Sequence, residues 1–221
     1  MLHFENVSKS FLMREGRMRP IISGATFTAH FEENYGLVIP QRAGKTTLTN
    51  LILGSEQPDS GRIYRYGKIS WPVGGVGGLI MPLSGSENCR YIAMIYGLDP
   101  DEVLAFVIDL ARIGRYMDMP VCTYSSTLQQ RLSLALLLAL DFDMYLVIEG
   151  AGTGDDEFGQ RARPILAEKL ERTPVMFMAS DVDRMKNFCK RVAVLHDCKV
   201  YEFDSIEDAR RFQDQEALVH G

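Results

Sequence analysis

The stretch YGLVIPQRAGKTTLTNLIL, residues 35–53, constrains this chain more than any other. YGLVI is a short apolar run that reads as a buried strand. After a turn, TTLTNLILG sets Leu48, Leu51, Ile52 and Leu53 on helical spacing, with Gly54 as a C-cap. Gly44-Lys45-Thr46 joins the strand to the helix. That is the context of a phosphate-binding loop, where backbone N–H groups at a helix start and a lysine cradle phosphate oxygens. The pattern G-x-x-x-x-G-K-[ST] is nevertheless incomplete, because Ile39 stands at its first glycine.

The rest of the chain alternates strands and helices. LHFENVSKSF reads as a strand, MREGRMRP as a basic solvated turn, and IISGATFTAHF as a second strand pair. Turn chemistry at Pro58-Asp59-Ser60-Gly61 is expected to have strands on both sides. SENCRYIAMIYG reads as a helix capped by Ser86, and DPDEVLAFVIDLARIG as a helix starting at Asp99-Pro100. YSSTLQQRLSLALLLAL is a third helix, capped by Ser125. MYLVIE (144–149) and VMFMAS (175–180) are uniformly apolar, as buried parallel strands are. RVAVLHDCKVYEFD reads as a closing hairpin and SIEDARRFQDQ as a C-terminal helix. The pattern predicts an α/β domain with a mostly parallel sheet. Its core is 1–83 and 143–221, and 84–142 is an inserted helical subdomain.

Composition narrows the partners. A chain of 221 residues, 46% hydrophobic, suits one compact domain with a subdomain inside it. A net charge of −5 argues against nonspecific nucleic-acid binding, which rests on neutralising phosphates with Lys and Arg. Cys89, Cys122, Cys189 and Cys198 form no CxxC pair and lack a nearby His at ligand spacing. The expectation is reduced thiols in a cytosolic protein and no metal cluster. The N-terminus MLHFENVSKSF carries no signal-peptide pattern. The most apolar run, LSLALLLAL (132–140), is about half the length a membrane helix needs.

These motifs follow the order of the ATP-binding-cassette (ABC) nucleotide-binding domains. GLVIPQRAGKTTL resembles Walker A. YSSTLQQRLSLALLLALDFDMYLVIEGAGTGDDEF resembles the signature motif, its helix, Walker B and the D-loop in one run. ISWPVGGVGGL, LSGSENCRYIAMIYG and RYMDMPVCTYSS are similar to the ATP-binding subunits of capsular and lipopolysaccharide-type polysaccharide exporters. The resemblance covers nearly the whole chain. It implies a P-loop NTPase core with an antiparallel β part, ATP and Mg²⁺ as ligands, and a head-to-tail dimer with itself or with a paralogous ATPase. It also implies membrane-spanning exporter subunits as partners and a peripheral place on the cytoplasmic face of the inner membrane. The helical insertion and SSTLQQRL argue against an unrelated P-loop kinase or GTPase.

Carried over residue by residue, the resemblance gives Lys45 the β- and γ-phosphates and Thr46 the Mg²⁺, weakly supported. The backbone of Ala43, Gly44, Lys45, Thr46 and Thr47 would hold phosphate oxygens. Phe11 sits at the adenine-stacking position, or is a core strand residue. Glu149 is the candidate general base. Ser125, Ser126 and Thr127 fall in the signature motif and Asp155 in the D-loop.

Several positions depart from the family pattern. Ile39 is β-branched where the loop should turn tightly, and Arg42 replaces a glycine where backbone and phosphate approach. Arg42 either blocks the phosphates or binds them. Ile148 replaces the Walker B aspartate, Ile80 the Q-loop glutamine, Thr127 a signature glycine and Asp181 the switch histidine. An isoleucine cannot orient metal-bound water, and an aspartate repels a γ-phosphate. Weak or absent hydrolysis and reduced nucleotide affinity are therefore expected of a non-catalytic or regulatory partner. The alternative is an active ATPase. GGVGG (74–78) is not a dinucleotide fingerprint and is expected to form a flexible loop over the site.

Overall fold

The structure, a computed structural model, describes the backbone of residues 1–220 and the side chains of residues 1–215. The described residues divide into two compact units. Met1–Ile69, Leu146–Glu149 and the segment from Pro174 onward form the first, and Ser70–Tyr145 with Gly150–Thr173 form the second.

In the first unit, alternation builds the antiparallel part. β1 (Leu2–Leu12) buries Leu2, Phe4 and Val7 on one face. It pairs on one edge with β2 (Met18–Ala29) and on the other with β4 (Ser60–Arg65), both antiparallel. The segment expected as a second strand pair is the single strand β2. Its register shifts against β1 between Phe4 and Ser10, where Asn6 (φ 50°) and, opposite, Gly24 (φ 62°) take left-handed backbone. A bulge absorbs an extra residue and lets the strand continue, so Gly24 marks a bulge and not a break. The segment directly before β4 is not the expected strand. Lys9 Nζ holds that segment as a turn through Gln57 O (2.9 Å), Glu56 (2.6 Å) and Asp59 (3.1 Å).

The second sheet is ordered β5 (Tyr145–Ile148), β6 (Val175–Ala179), β3 (Tyr35–Val38), β7 (Arg191–His196), β8 (Lys199–Phe203). β3 runs parallel to β6 and β7 and is buried at all four positions; β8 returns antiparallel to β7. Phe27 links the two sheets by stacking on Phe4 (4.4 Å) and Tyr35 (6.2 Å). α1 (Lys45–Leu53) buries Leu48, Leu51 and Ile52 and ends on left-handed Gly54, as its sequence predicts. α6 (Ile206–His220) packs Ile206 and Ala209 with Val182, Met185 and Val194.

The second unit is helical. α2 (Gly85–Tyr96) starts one turn-half earlier than expected. Its cap is Ser84 and not Ser86, because only Ser84 has a glutamate three residues on. Ser84 Oγ accepts from Glu87 N (3.2 Å) and Glu87 Oε2 accepts from Ser84 N (2.8 Å), a capping box. α3 (Pro100–Ala111) starts after the Asp99 cap as expected. Short 3₁₀ turns at Gly114–Asp118 and Val121–Thr123 lead to α4 (Ser126–Ala139), capped by Ser125. Leu132 through Leu138 of α4 are all buried, so the most apolar run of the chain is the centre of this unit's core. Among the described residues no helix is long and apolar enough to cross a membrane.

α5 (Glu157–Arg172) has no counterpart in the sequence reading. Pro164 lies inside it and only Phe158, Gly159, Ala162 and Leu166 are buried, so its apolar stripe is thin. Its polar side chains bind neighbours instead. Arg161 donates to Asp109 O (2.7 Å) and Leu110 O at the end of α3, and Lys169 donates to Leu140 O (2.7 Å) at the end of α4. Cations at helix C-termini satisfy carbonyls that the helices leave open. The glycines expected to form a flexible loop are packed. A Cβ on Gly77 or Gly78 would lie 2.7 or 2.8 Å from the Trp71 side chain, and Ser133 of α4 both donates to Gly77 O (2.7 Å) and accepts from Gly77 N (3.0 Å).

Candidate functional site

Ile39 does not sit in the turn. It is fully buried, and its N–H binds Ala179 O (2.8 Å), so it prolongs the β3 ladder beside β6. The turn is made by Pro40 to Gly44, closed by Ala43 N to Pro40 O (3.1 Å). Arg42 takes φ 63° and Gly44 φ 101°. An arginine in left-handed backbone costs about 1–2 kcal/mol. What fixes it is Arg19 on β2, whose Nη2 donates to the Arg42 carbonyl at 2.9 Å. The Arg42 guanidinium itself is exposed and binds no described residue.

The start of α1 is open. No side chain caps it and no acidic residue occupies its first turn, so the N–H groups of Lys45, Thr46 and Thr47 have no partner within the helix. Thr46 is exposed; Lys45 and Thr47 are half-buried. Phe11 is 38% exposed at the end of β1, with the Lys9 ammonium 5.3 Å from its ring centre, and so is not a core residue.

Glu149 follows β5 and is held at both oxygens. Oε2 accepts from Ser180 N (2.8 Å) and Ser180 Oγ (2.7 Å), and Oε1 pairs with Arg184 Nε (2.8 Å). The Ser180 N–H and hydroxyl hold its carboxyl below the usual range, with smaller help from the charges of Arg184 and Lys45. A depressed folded-state pKa contributes stability that is present above the ordinary carboxylate range and lost as pH falls through the depressed value. Glu149→Gln is therefore expected to lower the melting temperature at neutral pH and to converge with the parent in acid. Melts of both proteins between neutral and acidic pH check this; parallel curves would contradict it.

Asp181 is exposed, but its side chain has a local partner. It caps the 3₁₀ turn Val182–Met185, accepting from Asp183 N at 2.7 Å. Ile148, beside Glu149, is half-buried at the end of β5.

The signature and D-loop positions lie in the second unit. Ser125, Ser126 and Thr127 are exposed at the start of α4, with Ser125 Oγ accepting from Leu128 N. Thr127 and Asp155 line one open cleft of about 310 Å³ with Gly74, Gln130, Arg131 and Phe158. Asp155 is fully exposed and pairs with Arg163 (3.0 Å). Its neighbour Asp156 does the structural work, capping α5 through Gly159 N (2.8 Å) and pairing with Arg131. Ile80 is clamped by buried Asn88, which accepts from Ile80 N (2.7 Å) and donates to Ile80 O (3.1 Å).

No protein-family model matches the sequence. The chain is, however, 35% identical over 212 residues to the capsule polysaccharide export ATP-binding protein CtrD of Neisseria meningitidis serogroup B, covering 96% of this chain and 98% of that one. The chain belongs to the ABC-type ATP-binding proteins of polysaccharide export. It is likewise 31% identical to the ATP-binding protein BexA of Haemophilus influenzae, covering 97% of this chain and 99% of that one. It is 30% identical to the polysialic acid transport ATP-binding protein KpsT of Escherichia coli, with 97% and 98% covered.

The fold is that of this family's α/β P-loop NTPase. A dimeric ATP-binding cassette in a post-hydrolysis state bound to ADP and Pi superposes with TM-score 0.65 at 21% identity, covering 92% of this chain and 98% of that one. An ABC transporter ATP-binding subunit superposes with TM-score 0.68 at 19% identity, covering 97% and 93%. Against a nucleotide, the residues present fit phosphates well: three open N–H groups and a lysine converge at the start of α1. For Mg²⁺, Thr46 offers an exposed hydroxyl at the start of α1, while Ile148 at the end of β5 offers no oxygen. Sequence reasoning missed Arg19, Ser180 and Arg184. None belongs to a spacing pattern: Arg19 comes from β2 of the antiparallel sheet, Ser180 directly follows β6, and Arg184 lies on the 3₁₀ turn after it.

Proposed function

We propose that this chain is the ATP-binding subunit of a capsular-type polysaccharide exporter in which hydrolysis is impaired, so that it acts as a non-catalytic or regulatory partner. The observation that carries this reading is the imbalance within one site. The phosphate end keeps Lys45, Thr46 and the open amides of α1, while the metal and sensor positions hold Ile148 and Asp181. Phosphate binding needs only donors and charge, whereas hydrolysis also needs an oriented metal and a group that reads the γ-phosphate. Lys45 and the first-turn amides would bind the phosphates, Thr46 would be the one protein ligand to Mg²⁺, and Phe11 offers its free face to the base.

In this reading the chain sits peripherally on the cytoplasmic face of the membrane, docked on membrane-spanning subunits. It pairs through its signature and D-loop surfaces with a second copy or a paralogous ATPase. One observation favours the second reading, an active ATPase: Glu149 is ionised and held in place at the end of β5.

Nucleotide binding is tested by thermal shift. Millimolar Mg-ATP is expected to raise the melting temperature by a few degrees, and Lys45→Ala to abolish the rise. An unmoved melting temperature in the parent would refute the binding role. Turnover of the chain alone and mixed with an intact paralogous ATPase then separates the regulatory partner from the active enzyme.

A further inference from the structure

The switch position holds an aspartate, but a cation stands one turn further on. Asp181 caps the 3₁₀ turn Val182–Met185, and that turn is anchored on both sides. Val182 and Met185 are buried, Val182 N binds Gln213 Oε1 (3.2 Å), and Asp183 pairs with Arg210 (3.3 Å). The anchored turn presents Arg184, whose side chain is 59% exposed and touches Glu149 through Nε alone. Its two terminal amino groups bind no described residue. An arginine beside the base carboxylate, in the field that also includes Lys45, thus carries an unused fork of donors. Such a fork matches a phosphate's oxygens.

We propose that Arg184 reads the γ-phosphate in place of the histidine missing at position 181, and that the ion pair with Glu149 is its resting place when no nucleotide is bound. Asp181 then has a purpose, since its cap aims the turn that carries Arg184. When Arg184 moves onto the phosphate, Oε1 of Glu149 becomes free while Oε2 stays held by Ser180. Arg184 thus supplies the reading of the γ-phosphate, and Ile148 at the metal position is what leaves hydrolysis impaired. This inference rests on the reading of the chain as a nucleotide-binding subunit.

The test is calorimetric titration of the full chain with Mg²⁺ and either ADP or the β,γ-imido analogue of ATP. The parent is expected to prefer the triphosphate, and Arg184→Gln to lose that preference by about tenfold without weakening ADP binding. Arg184→Lys, which keeps the charge, is expected to retain part of the preference. Glu149→Gln breaks the same ion pair from the other side and is expected to keep it. A preference that survives in Arg184→Gln, or that vanishes equally in Glu149→Gln, overturns the assignment and leaves the nucleotide-binding reading standing. A parent that binds both nucleotides equally does the same. A parent that binds neither overturns both.

Discussion

Replacing Ile148 by aspartate is expected to raise Mg-ATP turnover by about a hundredfold, the size of effect that one preorganised electrostatic group supplies. Ile148 ends β5 directly before Glu149, where an aspartate would accept hydrogen bonds from metal-bound water. An isoleucine accepts none, and Mg²⁺ keeps most of its waters, so its position depends on such acceptors. The effect should appear in kcat measured at saturating Mg-ATP, with Lys45→Ala in the same background as the blank. Adding Asp181→His is expected to gain less than the single change. The histidine restores a family donor but removes the cap from Asp183 N and disturbs the turn carrying Arg184. Unchanged turnover in Ile148→Asp would mean that the loop and not the metal limits the reaction. Turnover of about 1 s⁻¹ in the unmodified chain, lost in Lys45→Ala, would end the impaired-hydrolysis reading altogether.

Gly44→Ala is expected to destabilise the protein by about 3 kcal/mol and to abolish nucleotide binding. Two costs combine. Gly44 has φ 101°, which a side chain rarely tolerates, and a Cβ there would lie 2.3 Å from Ile21 Cγ2. For a chain of this length the melting temperature should fall by about 6–12 °C. Ile21→Ala removes the atom in the way, so the double variant should be less destabilised than the sum of the singles. Strict additivity would show that backbone strain alone is responsible. Gly44 is thus required both by its backbone angle and by its close packing on Ile21.

The elements most legible in the sequence were those whose signals are local. α1 with its Gly54 cap, α3 with Asp99-Pro100 and α4 with Ser125 follow from apolar spacing and capping residues within one turn. β3, β5 and β6 follow from short uniformly apolar runs. α5 escaped because its stabilisation comes from Arg161 and Lys169 on the carbonyls of other helices, which no apolar period encodes. The sequence suggests two strands where β2 is one, because Gly24 signals a break locally, while the left-handed Asn6 opposite makes it a bulge.

The candidate site divides along the same line. The sequence by itself determined the strand, the Gly44-Lys45-Thr46 turn and the helix, and, through its resemblance to the family, the expectation that Ile148 and Asp181 stand where an aspartate and a histidine belong. Those are matters of residue identity and spacing along the chain. Only the tertiary structure decided that Ile39 belongs to the sheet and not to the turn, that Arg19 holds the left-handed peptide of Arg42, and that Ser180 and Arg184 occupy both oxygens of Glu149. Parallel strands side by side in the sheet are far apart in sequence. β6 lies between β5 and β3, so it sets Ser180 beside Glu149 and Ala179 beside Ile39, and α6 anchors the turn that carries Arg184; no local pattern records it.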